Sequence, residues 1–273
     1  MKPIAILCIL AIIASLPSCR KESRREAVTK LVVQIQRADY EGDRSTLGRL
    51  YLALAPFTDD KELGTKVRYW RGFAQWRRAF NGFNDSVAPA DLQQDLKQAI
   101  SEFEEAIAKD PAFVDARVAA GSSMGLLMFL YSKNPELAPE FKDPARKREF
   151  LGKAMSYLKE AEAAEPENPR VLWVVGQVRW NLPPELGGGQ DKVFETYQKG
   201  LKAAREPKRT GDDPLMPSWG EAELLMNLAY SHLTRSTPDL TAAEQYAHAA
   251  LALVPSWRYV RDILLPQIAA AKK

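Results

Sequence analysis

The feature that most constrains this chain is a spacing that occurs three times. Ala99-x3-Phe103-x2-Ala106-x4-Pro111 returns as Ala154-x3-Leu158-x2-Ala161-x4-Pro166 and as Ala243-x3-Ala247-x2-Ala250-x4-Pro255. Offsets of four and three place these residues on one face of a helix. Alanine on that face lets a neighbouring helix approach to the short end of the usual ~8–10 Å range. Each signature closes on a proline, which cannot continue a helix and restricts the residue before it. Ten residues beyond the first two prolines stand Gly121 and Gly176. Both fall inside the next predicted helix, where glycine costs about 1 kcal/mol against alanine unless close packing requires it. Close packing is the reason assigned here.

A small residue in one helix, Ala-x3-Φ-x2-Ala in the next (Φ being the larger residue) and then proline resembles the tetratricopeptide repeat, a helix–turn–helix unit of about 34 residues. Trp70-x2-Phe73-Ala74 and Leu225-x2-Leu228-Ala229 match that family's first-helix pattern. From Pro111 to Pro166 is 55 residues, so the units carry insertions. The resemblance implies an all-α, TPR-like right-handed superhelical solenoid of about five helix pairs plus a C-terminal capping helix. It also implies a concave groove that takes peptides or extended protein segments. Composition agrees with the class: 46% of residues are hydrophobic and no alternating strand pattern of useful length occurs.

The first residues read as a targeting segment. Lys2 gives a positive start, Ile4 to Leu16 is apolar apart from Ser15, and Leu16-Pro17-Ser18-Cys19 sets small residues before a cysteine. The apolar stretch is too short to span a membrane, which takes ~20 residues. The tetrapeptide resembles the lipobox of bacterial lipoproteins, with an ordinary secretory signal as the alternative. The resemblance implies a signal peptide over 1–18, a lipidated Cys19 with a charged tether over 19–25, and one helical repeat domain over 26–273; the charged run Arg20 to Arg25 reads equally as the solvated start of the first helix. Arg20 after the cysteine favours, by that family's sorting rule, the periplasmic side of the outer membrane. Cys8 is the only other cysteine, so the folded part holds no thiol for a disulfide, metal or nucleophile. Without the signal the charge balance is +2 and no basic run has the length of a nucleic-acid footprint.

Residues 63–83 form the most aromatic predicted helix. Tyr69, Phe73, Trp76, Phe80 and Phe83 make one stripe, read as core. Arg68, Arg71, Gln75 and Arg78 lie on another; in the repeat frame anchored at Trp70 and Ala74 these line the concave groove, with a solvated face as the competing reading. In 169–181, Trp173, Gln177 and Trp180 fall on the concave side with Arg170 and Asn181 in the frame fixed by Gly176, with core as the competing reading. Tyr230, on a helix read over 219–234, takes a further groove position, and 206–217 reads as a polar linker. The last helix, 257–271, should be kinked before Pro266, its Val260, Leu264 and Ile268 covering the end of the stack.

No chemistry of catalysis emerges. Gly121-Ser122-Ser123-Met124-Gly125 spells the nucleophile-elbow pattern of esterases, but that pattern needs a strand before it and here lies mid-helix. The triple glycine 187–189 lacks a P-loop's lysine, and His232 and His248 stand apart from any carboxylate or cysteine cluster. No cofactor, metal or nucleic acid is expected, and self-association is left open. The expectation is a non-enzymatic, lipid-anchored scaffold binding a protein or peptide in its groove. The alternative is a small-ligand-binding lipoprotein. It is suggested by the turn Leu182–Asp191, which resembles those of lipoproteins associated with TRAP-type transporters. An enclosed cavity in place of an open groove separates the two.

Overall fold

Each of the three signatures stops where its proline demands. Asp110, Glu165 and Val254, the residues directly before Pro111, Pro166 and Pro255, leave helical geometry with φ of −140°, −136° and −133°. The ring of the following proline disfavours a helical residue there. The structure, a computed structural model, describes residues 23–180, 182–206 and 213–273. The leader 1–18, the Cys19 lipidation site and Asn181 lie outside the described residues.

Among the described residues all regular structure is helical. The α-helices are α1 (Arg24–Glu41), α2 (Arg44–Ala53), α3 (Gly64–Gly82), α4 (Pro89–Lys109), α5 (Val114–Lys133), α6 (Pro144–Ala164), α7 (Pro169–Trp180), α8 (Gln190–Ala204), α9 (Glu221–Thr234), α10 (Leu240–Leu253) and α11 (Leu265–Ala271). None is long and apolar enough to cross a membrane. Ser23 caps α1 through a capping box with Glu26, so Arg24 and Arg25, read as tether or as the solvated start of the first helix, belong to the helix.

Helices adjacent in sequence pack on one another all along the chain, most extensively α3 on α4, α9 on α10, α5 on α6, α7 on α8 and α4 on α5. The odd-numbered helices also touch one another in series, α1 to α3, α3 to α5, α5 to α7 and α7 to α9, and form an inner row. The signature alanines Ala99, Ala106, Ala161, Ala243, Ala247 and Ala250 are fully buried between helices. The two glycines are there for contact, as their spacing suggested. A Cβ on Gly121 would stand 2.8 Å from Leu158, and one on Gly176 would stand 2.1 Å from the Tyr197 ring.

The stretch expected to be a polar linker is packed where it is described. In residues 213–220, Leu215, Pro217 and Trp219 are buried while 214, 216 and 218 are exposed. The segment crosses the inner row. Trp70 Nε1 donates to the Leu215 carbonyl (2.8 Å), Trp219 Nε1 to the Tyr69 hydroxyl (3.0 Å), and Arg170 to the Trp219 carbonyl (3.2 Å). The Trp219 ring lies 5.8 Å from Phe73, 6.0 Å from Trp76 and 5.5 Å from Trp173. Gly220 then turns with φ of 135°, a value that L side chains rarely adopt, and α9 begins one residue later.

These contacts tie the start of the chain to its end. Arg25 and Lys66 both bind Asp213 at 2.6 Å. Tyr40 donates to Glu223 at 2.6 Å and stacks edge-on against Trp257. Arg258 grips both oxygens of Asp85 at 2.7 and 2.9 Å. The expected kink before Pro266 is a π-helical turn, Val260–Leu264, and Val260, Leu264 and Ile268 are fully buried beneath it.

Candidate functional site

The eight residues placed in a groove from sequence divide into two groups. Arg68, Arg71, Gln75 and Arg78 do not face the inner row. They project from α3 into the crevice between α2 and α4, where α4 offers Asp95, Gln98 and Glu102 at matching intervals. Glu102 accepts from Arg68 (3.0 Å) and Arg71 (2.8 Å), and Arg71 also donates to the Tyr51 carbonyl (2.6 Å) with its guanidinium 3.9 Å above the Tyr51 ring. Gln75 donates to Gln98 (2.8 Å), and Arg78 shares Asp95 with Arg44. Asp95 and Glu102 are nearly closed to water, where an unpaired carboxylate is costly, and the arginines are held against them as partners. The register of α3 is therefore turned, and the aromatic stripe, read as core, faces inward.

Trp173 resolves its two readings together. It points to the inner side but has no exposure, because Trp219 covers it and Trp76 flanks it at 5.8 Å. Arg170 beside it pairs with the buried Asp115.

Gln177, Trp180 and Tyr230 do come together. With Phe80, Phe83, Asn84, Leu126, Phe129, Tyr197, Met226, Asn227, Ser231 and Tyr259 they line a cavity of about 560 Å³. It opens between the C-terminal ends of the inner helices. Each of α3, α5, α7 and α9 brings an aromatic side chain there from its last two turns or just beyond: Phe80 and Phe83, Phe129, Trp180, Tyr230. Phe129 and Tyr230 are about half exposed and form the mouth. Among the described residues no charged side chain lines the cavity. Burial pushes the Tyr259 phenol up to about 12, so it stays protonated at neutral pH. Burial also raises the Tyr197 phenol, whose oxygen accepts from Asn227 Nδ2 at 3.0 Å. Such a surface suits a flat apolar molecule and offers it uncharged hydrogen-bonding groups.

A solved haemophore has a similar fold. HusA, a haemophore from Porphyromonas gingivalis, aligns with a TM-score of 0.52 over 78% of this chain and 97% of its own, at 17% identity. At that identity the likeness concerns the fold alone. No family model matches the chain and no curated protein matches it.

Sequence reasoning missed most of the lining. The helical stripe puts Phe80 and Phe83 in the core, and no pattern singles out Phe129, Tyr197, Asn227 or Tyr259. The signal was present as an aromatic closing each inner helix. Among the motifs set aside, Ser123 is fully buried in α5 and donates to the Ala119 carbonyl at 2.8 Å. His232 packs between Phe194 (4.6 Å) and Tyr246 (5.5 Å).

Proposed function

We propose that this chain is a binding protein for a flat, conjugated, largely apolar small molecule, held in the aromatic cavity between the ends of the inner helices. The reading that carries it concerns what is left open. A peptide entering the inner face near Trp70, Trp76 and Trp173 meets residues 213–220 of the chain itself, hydrogen-bonded in place. The aromatic cavity remains, with a volume inside the ~300–1,000 Å³ of typical small-ligand sites. The covered inner face favours the alternative held from sequence, a ligand carrier, over a peptide-binding groove, although the aromatic cavity is open at its mouth and not enclosed. The haemophore fold of the structural neighbour is in keeping with a carrier of planar molecules.

The wider architecture belongs to the same proposal: a TPR-like solenoid of five helix pairs and a cap, anchored through a lipidated Cys19 on the periplasmic side of the outer membrane. The role is binding, not catalysis. Ser123, the one serine in a hydrolase-like motif, spends its hydroxyl on its own helix.

Titration of the purified protein with haem and with flat aromatic dyes, read by quenching of tryptophan fluorescence, tests the cavity. Saturable quenching that weakens about tenfold or more in Trp180→Ala and Phe129→Ala, with unchanged circular dichroism, is the expected result. Lack of saturable binding to any flat probe would refute it. Membrane fractionation of Cys19→Ala tests the anchor separately: release is expected, and retention overturns it.

A further inference from the structure

The cavity contains a donor with nothing to donate to. Tyr197 is 2% exposed and reaches the cavity wall across Gly176, whose missing Cβ makes the room. Its hydroxyl oxygen is already an acceptor, taking the Asn227 amide proton at 3.0 Å. The phenolic proton has no acceptor among the described residues, and burial keeps that proton on the oxygen. On the same wall, Gln177 has its Nε2 buried and without a partner. A buried donor left unmet is costly, whereas a partner arriving with the ligand removes that cost.

The ligand's side of this match follows from charge. Among the described residues the lining holds no lysine, arginine or histidine. A carboxylate drawn to this depth would lose its hydration with no cation to replace it. A neutral oxygen acceptor carries no such penalty. We infer that the ligand presents an uncharged carbonyl oxygen to the Tyr197 hydroxyl and the Gln177 amide, so that the site selects flat aromatic ketones, quinones or lactams over hydrocarbons of the same shape. This rests on the cavity being the binding site, as proposed above, and adds the chemistry of its buried end.

The probes are 9-fluorenone and fluorene, which differ by one carbonyl in an otherwise equal tricyclic frame. Competition of each against a bound flat dye should show fluorenone binding about 3–10-fold more tightly, the span of one neutral hydrogen bond. Tyr197→Phe and Gln177→Leu should each reduce that preference, and the double variant should abolish it. Should Tyr197→Phe fail to fold, the infrared carbonyl stretch of fluorenone bound to the unaltered protein serves instead: a shift to lower frequency than in hexane is expected. Equal binding of the two probes with an unshifted stretch overturns this inference and leaves the cavity reading standing. Failure of both probes to displace the dye overturns this inference, and absence of saturable binding of haem and the dyes as well overturns both.

Discussion

Gly176 and Tyr197 show how a single missing methyl group fixes a site. With the would-be Cβ only 2.1 Å from the ring, Gly176→Ala must push Tyr197 off its position. Overpacking of this kind typically costs about 1–3 kcal/mol. Urea unfolding should register that loss, and the displaced phenol should weaken ligand binding as well. Glu223 gives the residue scale its pH dependence. Burial raises its carboxyl above the ordinary glutamate value, against the lowering effects of the Tyr40 hydrogen bond and Arg77. A raised folded value means that the contribution to stability is complete below the unfolded value of ~4.3 and is lost as pH rises through the folded one. Glu223→Gln is therefore expected to be at least as stable as the parent at pH 8, with that advantage shrinking towards pH 4. A difference in urea midpoint that ignores pH would contradict it. The spacing of alanines, glycines and prolines could be read from sequence because each acts within its own helix or on the adjacent one. The roles of Tyr197 and Glu223 could not, because their partners Asn227 and Tyr40 lie 30 and 183 residues away.

At the scale of elements, α3 decides most of the architecture. Both of its long stripes are self-consistent: one aromatic, one of arginine and glutamine. Amphipathic logic turns the arginines outward, and a repeat frame turns them to a groove; neither sees Asp95 and Glu102 waiting on α4. Breaking a buried ion pair by removing one partner costs about 3–5 kcal/mol. Arg71→Met should approach that loss in chemical denaturation, yet leave affinity for a flat probe at the cavity unchanged, since Arg71 does not line it. A large loss of affinity with little loss of stability would restore Arg71 to the binding site. The ends of α4, α6 and α10 and the turn before Pro266 were readable because proline acts on its own neighbours.

The whole molecule departs most from what a repeat protein implies. A solenoid whose units touch only their neighbours has stability that adds along one dimension. Here residues 213–220 lie across α3 and α7, Tyr40 reaches Glu223, and Arg258 grips Asp85. Trp219→Ala should cost about 3–5 kcal/mol, as for other buried tryptophans, and should loosen both halves of the chain at once in hydrogen exchange. The Arg258–Asp85 pair is partly exposed and contributes little to stability, but its members adjoin Tyr259 and Asn84 at the cavity. Its hydrogen bond from Arg258 lowers the Asp85 carboxyl, so the clasp persists above the ordinary aspartate range and is lost as pH falls through the lowered value.

The segment that covers the inner tryptophans is made late. During synthesis Trp70, Trp76 and Trp173 emerge well before Leu215 and Trp219, and their shared aromatic face has no cover until the last quarter of the chain arrives. Contacts of such long sequence separation slow folding and leave apolar surface open to wrong partners. The protein thus depends on the completion of its C-terminal part to become safe from aggregation, and a chain stopped before residue 213 should accumulate as an insoluble product, however well its first helix pairs form.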